Sequence, residues 1–257
     1  MTFFHAIILA IVEGLTEFLP ISSTGHMILA SSWLKIPQID FVKSFEIFIQ
    51  LGAILAVVGL YGQKLLTNTK LWLPLLAGFV PTAIVGLVGY SFIKHNLIGT
   101  TAVVLWSLAL GGLVLLVIDK LVPGKQKSVT ALTWKDAAVI GSFQAISVIP
   151  GVSRAAATII GGLLVGLDRQ AAVEFSFLLA VPTLAAASGL DLLKSGWSFT
   201  SGEWALLIVG LVVSTITAWL AIKFFLGFVK KHNFQVFGIY RILLVIIFFL
   251  LTRFGFS

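Results

Sequence analysis

Cysteine is absent from the 257 residues, which excludes disulfides, thiolate metal sites and cysteine nucleophiles. Charge is scarce as well. Only 11% of residues are charged against 59% hydrophobic, and the mean hydropathy is +1.09, so there is too little polar surface for a soluble globule of this size. Long polar stretches are missing too. The largest interruption of the apolar pattern runs roughly from Lys120 to Asp136, which leaves no room for a separate soluble domain or a long linker. The first apolar segment, Phe3 to Leu19, lacks a positive start and a small-residue cleavage site and contains Glu13 and Glu17, so it is expected to stay in the mature protein rather than act as a signal peptide. Dense basic clusters are also lacking. The net charge is +7, but the lysines are scattered over short loops, a pattern that membrane topology explains better than nucleic-acid binding. The 7 Trp and 21 Phe suit lipid contact and interface anchoring, not base stacking.

What is present is a series of apolar segments of two kinds, separable by length because a full bilayer crossing needs about 20 apolar residues. Long segments cover about 42 to 62, 71 to 93, 100 to 119, 171 to 193, 203 to 227 and 235 to 254. Shorter ones come in pairs, about 3 to 19 with 23 to 34 and about 135 to 149 with 152 to 166, each pair broken by a Pro-containing polar turn. Non-helical backbone is tolerated at membrane depth only inside protein or beside a wet cavity, so each pair reads as a re-entrant helical hairpin.

The fold class expected is therefore an all-α integral membrane protein with two re-entrant hairpins plus six transmembrane helices. The order is hairpin plus three crossings, twice. Leu19-Pro20-Ile21-Ser22-Ser23 echoes Ile149-Pro150-Gly151-Val152-Ser153, and Phe45-Glu46-Ile47 echoes Phe175-Ser176-Phe177. Because three is odd, the halves run in opposite senses, giving a single domain, 1–257, of two inverted repeats at about 1–120 and 133–257, with a site between them. Lys64, Lys70, Lys120, Lys125, Lys127, Lys135, Arg169, Lys230 and Lys231 fall on one side and Lys35, Lys43, Lys94, Lys194 and Arg253 on the other. The richer side is expected to be cytoplasmic, so both termini and the mouth of the first hairpin face outward.

Ionisable groups at membrane depth are costly, so Glu13, Glu17, His26 and Arg154 are read as facing a site rather than lipid. Glu13 and Glu17 are four apart, on one helix face. Two such acids repel unless a cation, a proton or an arginine lies between them. Oxygen ligands of this kind suit a divalent metal, Mg²⁺ or Ca²⁺, with substrate phosphate completing the shell. A proton relay and a plain water-lined pocket are the alternatives. Ser22, Ser23, Thr24, Gly25 and His26 follow Pro20 as a hydroxyl-rich turn. One hydroxyl suffices for helix capping, whereas the whole set fits an anion cradle at a helix N-terminus. His26, near a serine and a carboxylate, suits a base, acid or nucleophile, or is simply a satisfied interior histidine. Pro150-Gly151-Val152-Ser153-Arg154 repeats the scheme with a guanidinium, whose planar fork matches two phosphate oxygens; the bland reading is an ion pair to Glu13 or Glu17. Thr158 projects a hydroxyl one turn on, and Gly161, Gly162 and Gly166 suit close helix packing. Glu46, Gln50, Glu174 and Arg241 are secondary intramembrane candidates. His5, His95 and His232 lie near segment ends and read as interfacial.

The run EGLTEFLPISSTGH, followed by PGVSR and by EFSFLLAVP at 174 to 182, resembles the bacitracin-resistance type of undecaprenyl pyrophosphate phosphatase, over nearly the whole chain. The resemblance implies a multi-pass enzyme of the bacterial inner (plasma) membrane that removes the terminal phosphate of undecaprenyl pyrophosphate, recycling the lipid carrier for cell-wall synthesis and conferring bacitracin resistance. It also implies a divalent metal and a site open to the outer, periplasmic or extracellular, side. The family's acid motif falls on Glu13 and Glu17, its hydroxyl turn on Ser22, Ser23 and Thr24, its histidine on His26, and its phosphate-binding arginine on Arg154 beside Ser153. The family usually continues Ser-Arg with serine and glycine, whereas Ala155 and Ala156 follow here, so one phosphate-contacting hydroxyl is absent.

Ser23 is the first choice of nucleophile, with His26 or Glu17 as its base. A phosphohistidine at His26 and direct attack by water remain open. The partners implied are a prenyl pyrophosphate lipid and the bilayer, without nucleic acid; a homodimer is open as the assembly state. The competing function is a transporter or flippase of an anionic lipid or solute, since inverted repeats with broken helices mark transporters. Paired acids with Ser23 and His26 favour the enzyme, because moving a phosphate needs no nucleophile or metal. An acid-phosphatase-type site is weaker, since no second histidine follows Ser153-Arg154 at a helical offset.

Overall fold

Each apolar segment marked above forms a helix. The computed structural model describes residues 1–89, 100–122, 127–195 and 199–253; Lys94, His95 and Lys125, and the side chains of Lys194 and Arg253, lie outside the described residues. The helices are α1 Phe3–Thr16, α2 Ser23–Trp33, α3 Asp40–Thr67, α4 Trp72–Val88, α5 Thr101–Leu121, α6 Trp134–Ala145, α7 Arg154–Leu164, α8 Arg169–Ser195, α9 Ser201–Val229 and α10 Gln235–Arg253. Among the described residues there is no strand beyond one isolated bridge, Lys127 to Leu167. Local signals set the starts. Thr133 with Asp136 and Thr200 with Glu203 form capping boxes at α6 and α9, in which each partner satisfies one free backbone N–H.

Among the described residues, five stretches are long and apolar enough to cross a bilayer: Asp40–Thr67, Thr69–Val88, Thr101–Leu121, Arg169–Leu190 and Ser201–Val229. α10 has 19 residues, which at 1.5 Å each extend about 28 Å, close to the ~30 Å hydrocarbon core; its stretch Gln235–Leu250 falls with the shorter apolar helices. Outward faces carry large apolar side chains, including Val88, Trp106 and Phe224, as lipid-facing surfaces do and soluble surfaces rarely do in such number. The chain is a multi-pass membrane protein.

Contacts between connections sort the helix ends into two sets. Asp119 binds Arg169 at 2.5 Å and the Phe234 N–H at 2.8 Å, Lys127 pairs with Asp136 and Lys64 pairs with Glu174, gathering one set. Phe41 packs on Phe199, with ring centroids 5.9 Å apart, in the other. Pairing follows a reciprocal pattern: α1 packs on α9 and α6 on α4, while α3 meets α8 and α5 meets α10. Small residues permit the tightest approaches. A side chain at Gly141 would run into the backbone of Gly78, and one at Gly14 into Thr217 Oγ1 and, at 2.7 Å, the Ser214 carbonyl. Gly14→Ala is therefore expected to overpack the α1–α9 contact and cost about 1–3 kcal/mol, read as a lowered midpoint of unfolding in detergent; an unchanged midpoint would show that the interface yields. Gly161 packs on Ile140 and Phe143 and Gly162 on Ala172. Gly166 does something else: its φ of +96° ends α7, with the Leu167 N–H donating to the Gly162 carbonyl at 2.9 Å, a left-handed cap that favours glycine.

The two interrupted pairs are helical hairpins whose turns match in detail. Ser22 has φ 70°, ψ 96° and Ser153 has φ 73°, ψ 113°. Each is an N-cap whose hydroxyl oxygen accepts an N–H three residues on, from Gly25 at 3.4 Å and from Ala156 at 3.2 Å. A non-glycine residue in this region costs about 1–3 kcal/mol, so something beyond the cap holds both turns.

Candidate active site

The first turn carries a hydroxyl and an acid in direct contact. The Ser23 hydroxyl donates to Glu17 Oε2 at 2.5 Å, joining the first residue of α2 to the residue that closes α1. Glu13, one turn earlier, is 1% exposed, and its Oε1 has no hydrogen-bond partner among the described residues. A buried carboxylate oxygen left without a donor is costly, and a bound cation or a substrate proton would remove that cost.

The second turn supplies the counter-charge. Arg154 Nη2 donates to Glu17 Oε1 at 3.2 Å and to the Glu17 carbonyl at 3.4 Å, while Nη1 donates to the Ser176 carbonyl on α8 at 2.9 Å. The two side chains are 8% and 5% exposed, so this ion pair is a buried one. Its guanidinium also lies 5.4 Å from the Phe18 ring centroid, a cation–π distance. Arg154 Nε is buried without an acceptor. The hairpin turns thus meet: Ser23, Glu17 and Arg154 form a continuous row. The ion pair that the bland reading of Arg154 anticipated is present, and Nε remains a buried donor without an acceptor among the described residues.

Backbone donors surround this row. The N–H groups of Ser23, Thr24, Arg154 and Ala155 have no acceptor among the described residues, as the first amides of a helix do not. They belong to the first turns of α2 and α7, where partial positive charge favours an anion. Thr24 is exposed and Gly25 buried against Leu108. Ser22 and Ser153 use their hydroxyl oxygens as caps. Thr158 is turned toward α8: its Oγ1 lies 2.6 Å from Ser176 Oγ and within bonding distance of the Arg154 and Ala155 carbonyls, so it stands behind the arginine and steadies it.

His26 is close in sequence but differently occupied. Its Nδ1 lies 2.8 Å from the Ser22 carbonyl and its Nε2 2.7 Å from the Tyr240 hydroxyl. Of the two bases considered for Ser23, Glu17 is the one in contact. Among the secondary candidates, Glu46 accepts from Ser31 at 3.1 Å, Glu174 pairs with Lys64, Gln50 is half-buried on α3, and Arg241 donates only to backbone carbonyls. His232 is exposed, stacked on Phe228, whereas His5 Nδ1 is buried without a partner.

Sequence reasoning missed Ser176, Tyr240 and Ser31. Ser176 had one visible signal, its position opposite Glu46 in the repeated Phe-x-Phe-like stretch; Tyr240 had only its place before an intramembrane arginine. For metal binding, no group of three or more acidic, histidine or cysteine side chains comes together among the described residues. The donor set is two carboxylates, one with an unpartnered oxygen, which suits a hard cation completed by substrate oxygens rather than a closed protein cage.

Residues 6–247 match the family model described as bacitracin resistance protein BacA. The chain is 51% identical over 250 residues to the undecaprenyl-diphosphatase of Aquifex aeolicus, covering 96% of this chain and 98% of the relative. It is 50% identical over 251 residues to that of Wolinella succinogenes, covering 96% and 97%, and 46% identical over 248 residues to that of Thermus thermophilus, covering 95% of each.

Proposed function

Since the chain belongs to the bacitracin resistance protein BacA family, we infer that it hydrolyses undecaprenyl diphosphate to undecaprenyl phosphate and inorganic phosphate, returning the lipid carrier to cell-wall synthesis. It is a membrane phosphatase. The observation that carries this reading is the row Ser23–Glu17–Arg154, assembled from both hairpin turns: a hydroxyl bound to a carboxylate, and a guanidinium beside it.

Chemistry follows from that row. The prenyl tail lies in the apolar surroundings of the hairpins, and the diphosphate enters between the turns. Ser23 Oγ attacks the terminal phosphorus in line as Glu17 takes its proton. The bond from phosphorus to the bridging oxygen breaks, and the lipid monophosphate leaves with that oxygen, which takes the proton from Glu17 and returns Glu17 to the carboxylate. Arg154 and the free amides of α2 and α7 oppose the charge on the equatorial oxygens. Water then attacks the phosphoserine with Glu17 again as base; the bond from phosphorus to Ser23 Oγ breaks, phosphate is released, and Glu17 passes the proton to Oγ, restoring Ser23. Glu13 and Glu17 would hold Mg²⁺ or Ca²⁺ together with diphosphate oxygens, which supplies charge neutralisation and alignment.

The same reading makes the halves inverted repeats and the hairpins re-entrant. The matching backbone at Ser22 and Ser153 and the reciprocal packing of α1 on α9 and α6 on α4 support it. So does the length of α1, 14 residues, too short for a crossing that needs about 20. We place the site toward the outer face of the inner membrane on charge: Lys64, Lys70, Lys120, Lys125, Lys127, Lys135, Arg169, Lys230 and Lys231 fall on one side of the expected topology and Lys35, Lys43, Lys94, Lys194 and Arg253 on the other, and the positive-rich side is read as cytoplasmic.

Purified protein in detergent, given a prenyl diphosphate and Mg²⁺, is expected to release inorganic phosphate. No release, combined with passage of the intact lipid across liposomes, would replace the enzyme by a transporter.

A further inference from the structure

Two adjacent residues of α10 reach the turns of both hairpins. Arg241 is 0% exposed and has no carboxylate partner among the described residues; its Nη2 and Nη1 donate to the carbonyls of Gly151 at 2.9 Å and Val152 at 3.2 Å. Nε and Nη2 also donate to the carbonyls of Leu108 and Ser107 on α5, at 3.1 and 3.0 Å. A buried guanidinium satisfied wholly by carbonyls fixes those carbonyls in direction, since its donors form a rigid planar fork. Gly151 and Val152 immediately precede the positive-φ Ser153, and turning their carbonyls toward α10 commits the backbone that delivers Arg154.

Tyr240 does the corresponding thing for the first turn. A carbonyl only accepts, so His26 Nδ1 must donate to Ser22, and in the neutral ring Nε2 then accepts from the Tyr240 hydroxyl. The rings are stacked, 5.5 Å between centroids and 4° from parallel. Ser22 is the positive-φ residue of the first turn; its carbonyl is held by His26, and His26 in turn by Tyr240. We propose that Tyr240 and Arg241 are positioning residues that brace the two hairpin turns against one another and so set the register between the Ser23–Glu17 pair and Arg154. His26 acts here as a strut with a fixed tautomer. This rests on the phosphatase reading, and neither α10 residue touches substrate.

The test is Tyr240→Phe, which removes one hydroxyl and keeps the stacked ring. Phosphate release is measured beside wild type, and the imidazole nitrogens of His26 are followed by ¹⁵N NMR in detergent. The expected result is a kcat lowered about 10- to 100-fold, as for a sub-ångström to 1 Å misplacement of reacting groups, with KM little changed and the Nε2 resonance shifted. A parallel Arg241→Lys variant, which keeps charge but loses the fork, is expected to lower kcat further. Wild-type kcat together with an unshifted His26 signal in Tyr240→Phe overturns the brace even if Arg241→Lys fails to fold. An inactive wild type would instead reject the phosphatase reading itself.

Discussion

Arg154→Ala is expected to lower kcat/KM by about 10²–10³-fold, the usual loss when one preorganised donor to developing negative charge is removed. The side chain makes three contacts at once, to Glu17 Oε1, the Glu17 carbonyl and the Ser176 carbonyl, so alanine also leaves Glu17 buried with Ser23 as its remaining side-chain donor among the described residues. Removing one partner of a buried pair costs about 3–5 kcal/mol of stability, and activity must therefore be expressed per folded molecule. Arg154→Lys separates the effects. Lysine restores the charge beside Glu17 but cannot span Glu17 and Ser176 with a planar fork, so it should recover stability more than rate. If Arg154→Ala, corrected for folding, stays within threefold of wild type, the arginine is a structural ion pair and the diphosphate is held elsewhere.

The division between what the sequence revealed and what it concealed follows physical lines. Helices and their lengths were legible because lipid imposes length: α1 and α2, at 14 and 11 residues, are shorter than the about 20 residues a span needs. Glu13, Glu17 and Arg154 stood out because charge in such sequence is costly, and the echo of Pro20-x-Ser22 in Pro150-x-x-Ser153 showed that the turns were related. Which atoms meet was not legible. His26 and Glu17 were equal claimants for Ser23, because spacing along a chain says nothing about a turn whose Ser22 has φ 70°. The structure turns the imidazole toward Tyr240, 214 residues away in sequence. Long-range contacts to neutral partners leave no trace in composition or period. Ser176 is the second case: a serine beside Phe175 and Phe177 looks like part of a buried helix face, and only the approach of α7 makes its carbonyl the seat of Arg154. Helix α10 shows the limit of hydropathy in the other direction, since it is apolar yet carries Arg241, the largest fully buried side chain among the described residues.

Ser23→Ala and Glu17→Gln should each lower kcat by about 10²–10⁴-fold, the range associated with losing a positioned proton acceptor or its partner, and the double variant should be scarcely worse than either. Non-additivity is the informative part, because two groups acting as one unit lose their joint contribution when either is removed. The 2.5 Å bond between Ser23 Oγ and Glu17 Oε2 is the physical reason to expect it. Glutamine preserves shape and still bonds Ser23, yet it cannot take the hydroxyl proton, so the loss in Glu17→Gln should appear in kcat. A second outcome separates serine attack from water attack. With serine as nucleophile, a slowly dephosphorylated substrate analogue should leave a phosphoryl group on Ser23, visible as added mass on the peptide containing it. With water as nucleophile and Glu17 as its base, Ser23→Ala would keep activity within about tenfold while Glu17→Gln would not, and no adduct would form. Because both mechanisms require Glu17 against Arg154, only a Glu17→Gln enzyme with undiminished kcat would remove the carboxylate from the chemistry and send the search for the base back to His26.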